Sequence, residues 1–137
     1  MTYLVERLAE LREHLNHLRE LRPQVPDRAA LQRNMSLRND VLFSLLMGCQ
    51  LVIDIAGELS ARRAERFEDY TEAVRNLSRD ERFPHDLVAV LEALPGFRNV
   101  VIHEYVALDM DRVVEALNQL EHMERFMAIV ASIEAAG

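Results

Sequence analysis

Arg98, His103 and Tyr105 stand close together in Phe97-Arg98-Asn99-Val100-Val101-Ile102-His103-Glu104-Tyr105. Their chemistry is complementary. Histidine, with an ordinary pKa near 6.5, gives and takes protons at neutral pH. Arginine stays charged and grips phosphate oxygens with a two-pronged fork. Together such a set can move protons and hold the charge that builds on a phosphate ester. Composition alone would produce Arg-x4-His-x-Tyr in about one chain in a hundred, so the spacing is informative without being decisive. The competing reading is structural: a buried network in which the three side chains bond to one another and Tyr105 donates to His103.

On a regular helix Arg98 and His103 lie about 140° apart around the axis, while Arg98 and Tyr105 fall nearly on one face. One chain offers one such histidine, poorly aligned with its own arginine. A two-fold homodimer bringing both motifs into one cleft supplies two histidines and two arginines, and two-fold pairs are the commonest oligomers. The site is therefore expected to be composite.

The elements that must position these residues read as helices. Leu4, Leu8, Leu11, Leu15 and Leu18 step by three and four, predicting a helix over 2–21 that ends at Pro23 and Pro26. Asp27 caps a second over 28–62, apolar all round between Val41 and Ile53, as in a central core helix. Gly48 within it suits the close approach of another backbone, and Cys49 behaves as a small buried hydrophobe. A helix over 67–78 turns Phe67, Tyr70, Val74 and Leu77 to one side. Another over 84–94 starts on Pro84, Pro95-Gly96 punctuates the chain, and helices over 97–106 and 110–135 follow, the last capped by Asp109. No strand pattern and no repeat survives. The expected fold is an all-α, up-and-down bundle of about four long helices and one or two short ones, in a single domain over 1–137.

Composition narrows the chemistry. The chain has 137 residues, half hydrophobic, with no Trp and four each of Gly and Pro, which disfavours a sandwich or barrel. All 16 basic residues are arginine, so a Schiff-base or phosphate-loop lysine is excluded. One cysteine excludes an internal disulfide and a multi-cysteine zinc site. Charges through the first twenty residues argue against a signal peptide, and the charge-free stretch Val41–Ile53 is too short to span ~30 Å of bilayer. A cytoplasmic protein without metal or cofactor is expected. The net charge of -7 argues against a generic nucleic-acid binder. An RNA partner must meet a local arginine cluster, for which Arg33, Arg38, Arg62, Arg63 and Arg66 are candidates. His14 and His17 have metal-capable spacing but no completing carboxylate–histidine pair, so a solvated face is expected there. His85 and His122 read as ordinary surface residues.

The motif has a wider context. Arg98-Asn99-x3-His103-x-Tyr105, the Arg38-Asn39-Asp40 cluster on the long helix, Ile53-Asp54-Ile55-Ala56, and Pro95-Gly96-Phe97-Arg98-Asn99 leading into the motif together resemble the HEPN superfamily. They match specifically its HepT-like toxins, over about Asp27 to Ile133. The resemblance implies a HEPN-like all-helical homodimer with ribonuclease activity, Arg98 and His103 as the catalytic pair and Asn99 in support. It implies a minimal nucleotidyltransferase antitoxin as partner, which transfers AMP to Tyr105 and so silences a toxin of a bacterial toxin–antitoxin system. It leaves the roles of Arg38, Asp40 and Cys49 open. The alternative is a non-catalytic helical module that presents a substrate or nucleotide to a nucleotidyltransferase. Growth arrest on expression, relieved by His103→Ala, distinguishes the two.

Overall fold

A computed structural model describes residues 2–136. Eight α-helices run in order: α1 (Tyr3–Leu21), α2 (Arg28–Arg33), α3 (Met35–Arg62), α4 (Tyr70–Arg75), α5 (His85–Leu91), α6 (Leu94–His103), α7 (Met110–Leu117) and α8 (Leu120–Ala136). No strand occurs among the described residues, and the all-α bundle expected from the sequence is the fold found.

The central element is α3. Fourteen of its residues are buried, among them Val41, Leu45, Val52 and Ile55. It is long and apolar enough to cross a membrane by length and composition, yet 61% of its most apolar window is buried inside the protein, the setting of a core helix. Leu11, Leu15 and Leu18 of α1 pack along it with no exposure, and α4 and α6 close other sides. α8 packs against α1 and α5, and α7 against α2. At the middle of α3, a Cβ built on Gly48 would meet Met123 Sδ at 3.4 Å and Leu11 Cδ1 at 3.9 Å. The expected backbone neighbour is instead a pair of side chains.

Two expected helices are each interrupted once. The span 28–62 breaks at Asn34, whose φ of -129° and ψ of 97° are extended; its side chain accepts from Leu37 N at 3.0 Å and so caps α3. Arg38 then donates to the carbonyls of Leu31 and Gln32 at 3.1 and 3.3 Å, satisfying acceptors left open at the end of α2. The span 110–135 breaks at Asn118 and Gln119 between α7 and α8. The helix expected over 67–78 is shorter, with α4 running into a 3₁₀ turn over Asn76–Arg79. Val74 and Leu77 are buried as expected, but Phe67 and Tyr70 are 39% and 43% exposed. Pro95 does not punctuate: it lies in the first turn of α6, where its missing N–H costs nothing. α3 itself closes on Ala64, whose φ of 54° is a left-handed conformation normally taken by glycine.

Candidate active site

α6 carries the motif against the flank of α3. Phe97 and Val101 are its buried anchors, which leaves Arg98 half-buried and Asn99, Ile102 and His103 facing outward. Arg98 is held from three segments of the chain. Its Nε donates to Gln50 Oε1 on α3. Its Nη1 donates to Asn99 Oδ1 at 2.9 Å. Its guanidinium carbon sits 5.3 Å from the centre of the Tyr70 ring at the start of α4, within cation–π range. Gln50 is itself oriented, because its Nε2 donates to Asp54 Oδ1 at 2.7 Å, one turn further along α3.

The partners of Arg98 are all neutral. Arg7, Arg12, Arg19, Arg28, Arg62, Arg63, Arg75, Arg82 and Arg125 each pair with a carboxylate. Among the described residues Arg98 has no such ion pair, and neither do Arg22, Arg33, Arg38, Arg66, Arg79 and Arg112; Arg98 differs in that neutral side chains fix its position while its charge stays uncompensated. That is the state a phosphate-binding arginine requires.

The helix ends at His103, which is exposed. Glu104, at φ -132° and ψ 37°, turns the chain away, and Tyr105 opens a 3₁₀ turn over Tyr105–Ala107. The expected helix to residue 106 therefore stops three residues early, and Tyr105 does not share a helical face with Arg98. Its place is set by α3 instead: the phenol donates to Asn39 Oδ1 at 3.0 Å, and the ring remains 41% exposed. The buried network of Arg98, His103 and Tyr105 is overturned. Their side chains bond to Gln50, Asn99 and Asn39 rather than to one another, and both His103 and Tyr105 face solvent. Beside them, Ile102 is 43% exposed and Val106 fully exposed, an apolar edge on the rim of the site.

The remaining candidates divide. Burial pushes the Cys49 thiol up to about 12, so it is a protonated core side chain and no nucleophile. His17 Nε2 meets Asp40 Oδ1 at 2.8 Å and His14 Nδ1 meets Ser44 Oγ at 3.1 Å, two links between α1 and α3 rather than a metal site. No cluster of three or more metal-ligating side chains occurs among the described residues. His85 is exposed as expected. His122 is not an ordinary surface residue: it is half-buried on a cavity of about 220 Å³ between α3, α5, α6, α7 and α8, with Nδ1 unpartnered. The arginine rim does not assemble. Arg38 and Arg62 lie 24 positions apart on α3, roughly 36 Å at ~1.5 Å per residue. Arg62 is neutralised by Glu58 and Glu134 besides.

Gln50, Asp54, Tyr70 and Asn39 are the members of the site that the motif does not contain. Gln50 and Asp54 left a trace in the sequence, as polar residues four apart in or next to an otherwise apolar stretch. Asn39 stood out only as part of the Arg38-Asn39-Asp40 cluster, with no role assigned, and Tyr70 left no trace, because their partners are 66 and 28 positions away.

The family described as Ribonuclease HepT-like matches residues 11–130. The mRNA nuclease HepT of Shewanella oneidensis is 20% identical over 129 residues, covering 93% of this chain and 95% of that protein. Solved structures share the fold. One is a tri-AMPylated HEPN toxin from Shewanella oneidensis in complex with its MNT antitoxin, at a TM-score of 0.84 and 20% identity, covering 96% of this chain and 99% of that one. Another is a toxin–antitoxin complex with AMP-PNP, at a TM-score of 0.81 and 20% identity, covering 95% and 99%. With most of its length matched, from α1 through α8, the chain belongs to the HepT-like ribonuclease family.

Proposed function

We propose that this chain is a metal-independent endoribonuclease toxin, cytoplasmic and homodimeric, silenced by a nucleotidyltransferase antitoxin that transfers AMP to Tyr105. The observation that carries the reading is the uncompensated charge of Arg98, fixed by neutral partners one helical stretch before an exposed histidine. Arg98 neutralises the charge that develops on phosphorus as the 2′-oxygen attacks. His103 takes the 2′-hydroxyl proton, and the second copy's equivalent histidine protonates the leaving 5′-oxygen, giving a 2′,3′-cyclic phosphate and a free 5′-hydroxyl. Asn99 steadies the arginine. The apolar edge of Ile102 and Val106 beside the motif supports a dimer that brings two such sites into one groove. The names of the relatives, an mRNA nuclease and an AMPylated toxin held by an antitoxin, support the substrate, the partner and the modification.

The exposure of Tyr105 supports its role as acceptor. AMP on its oxygen places a phosphate and an adenosine in the groove, where they compete with RNA for Arg98. Cleavage of a labelled RNA, followed with and without the antitoxin and ATP, tests the proposal. Arg98→Ala is expected to slow cleavage ~10²–10³-fold, as for loss of one transition-state donor. His103→Ala is expected to slow it ~10²–10⁴-fold, as for loss of a general base. Tyr105→Phe is expected to keep cleavage, escape silencing and gain no AMP by intact mass. Full cleavage by His103→Ala, or AMP on Tyr105→Phe, defeats the corresponding half.

A further inference from the structure

Tyr105 is not presented as a free phenol. Its turn follows the end of α6, but its hydroxyl is tied to a different helix, donating to Asn39 Oδ1 at 3.0 Å across 66 positions of chain. Asn39 lies on the exposed side of α3, in the stripe that continues through Phe43 and Gln50. A phenolic hydroxyl has a single hydrogen. With that hydrogen directed at Asn39, the rotation of the O–H about the ring bond is fixed, and the oxygen lone pairs point away from α3.

We infer that Asn39 is a positioning residue for nucleotide transfer to Tyr105, aiming the phenolic oxygen at the incoming nucleoside triphosphate. This rests on the reading of Tyr105 as the acceptor. In the transfer, the Tyr105 oxygen forms a bond to the α-phosphorus and the bond from that phosphorus to the bridging oxygen breaks. Pyrophosphate leaves, and the phenolic proton passes to a base on the transferring enzyme. The amide of Asn39 is too weak a base to take that proton. It holds the hydroxyl in one orientation until the antitoxin delivers the phosphate, so its contribution is to alignment. Two features point to this role over a purely structural one. Both side chains are exposed, so the bond seals no core. The short 3₁₀ turn Tyr105–Ala107 closes on its own backbone bonds, Ala107 N to Glu104 O at 2.9 Å and Leu108 N to Tyr105 O at 3.2 Å, and does not need the side chain to form.

The test is steady-state AMP transfer to the full-length protein, with its cognate nucleotidyltransferase, ATP and Mg²⁺, read by intact mass over time. Asn39→Ala removes the acceptor, and Asn39→Leu removes it while keeping the bulk. Both are expected to lower kcat for transfer about tenfold, between the loss of one neutral hydrogen bond and the displacement of a nucleophile. KM for ATP and the affinity for the antitoxin are expected to stay at wild-type values. A kcat unchanged in both variants overturns the inference, as does a loss that falls on KM or on antitoxin affinity. Tyr105→Phe runs alongside as the control on the underlying reading. If wild type gains no AMP, or the phenylalanine variant gains as much, the acceptor assignment itself fails, whatever Asn39 does.

Discussion

Gln50→Ala is the perturbation that isolates how Arg98 is held. In the wild type Gln50 Oε1 accepts from the guanidinium Nε, and Asp54 keeps the amide turned the right way at 2.7 Å. The substitution removes that acceptor but leaves Asn99 and the Tyr70 ring in place. A hydrogen bond to a charged group contributes ~1.5–3 kcal/mol. Because Arg98 is half-buried and water can replace part of the bond, we take the lower end, ~1.5 kcal/mol, which corresponds to about tenfold in rate. The assay is single-turnover cleavage of a short RNA with excess enzyme, so that product release is not measured. The expected rate lies between wild type and Arg98→Ala. A double-mutant cycle gives the sharper result: in the Arg98→Ala background Gln50→Ala should cost nothing more, because the group it positions is gone. Gln50→Glu is the companion variant. It keeps an acceptor but lays a full negative charge on the guanidinium, and is expected to weaken RNA binding as well as cleavage. Wild-type cleavage by Gln50→Ala, or an equal loss with and without Arg98, would refute the idea that neutral clamping of Arg98 matters.

Other consequences are simpler to measure. Gly48→Ala is expected to stabilise the fold by ~0.5–1 kcal/mol, because it removes a mid-helix glycine and its new methyl meets the flexible Met123 at an ordinary 3.4 Å. The melting temperature should rise by a few degrees, and a fall would mean that the α3–α8 contact cannot relax. Ala64→Gly should also stabilise, by ~0.5–1 kcal/mol, since glycine adopts the left-handed φ of 54° without the Cβ clash; thermal melts of the two variants check both signs. If the proposed homodimer pairs through the apolar edge of Ile102 and Val106, Val106→Asp should yield monomer by light scattering at micromolar concentration, and cleavage should fall with it. A dimer that survives the substitution places the interface elsewhere.

Much of this arrangement was legible in the chain. The leucine spacing of α1 and the all-round apolar run of α3 led to the helices and to the core, because local periodicity records which face is covered. Arg98, His103 and Tyr105 were legible as a chemical set. The helix interruptions were not, because Asn34 and Asn118 are tolerated within helices and only the tertiary path decides that they act as ends. Glu104 broke α6 for no reason visible in composition, and with it went the argument that Arg98 and Tyr105 share a face. Gln50 and Asn39 could not be assigned from spacing, since what defines them is contact with residues 48 and 66 positions away.

The bond between Tyr105 and Asn39 has a direction, and esterification forbids that direction. A phenol donates, whereas the oxygen of an aryl phosphate ester has no hydrogen and only accepts. Once any group is attached to Tyr105, the carbonyl of Asn39 faces a second acceptor. The amide must then turn over by half a rotation about its last bond and offer Nδ2 instead. Asparagine can serve both states because it carries a carbonyl and an NH₂ on one carbon. Aspartate can serve only the first. In an Asn39→Asp protein the carboxylate would hold the bare tyrosine at least as firmly as the native amide does, and would repel the modified one. At this position the difference between an amide and a carboxylate thus sets how far the turn after His103 stays anchored to α3 when the tyrosine is blocked.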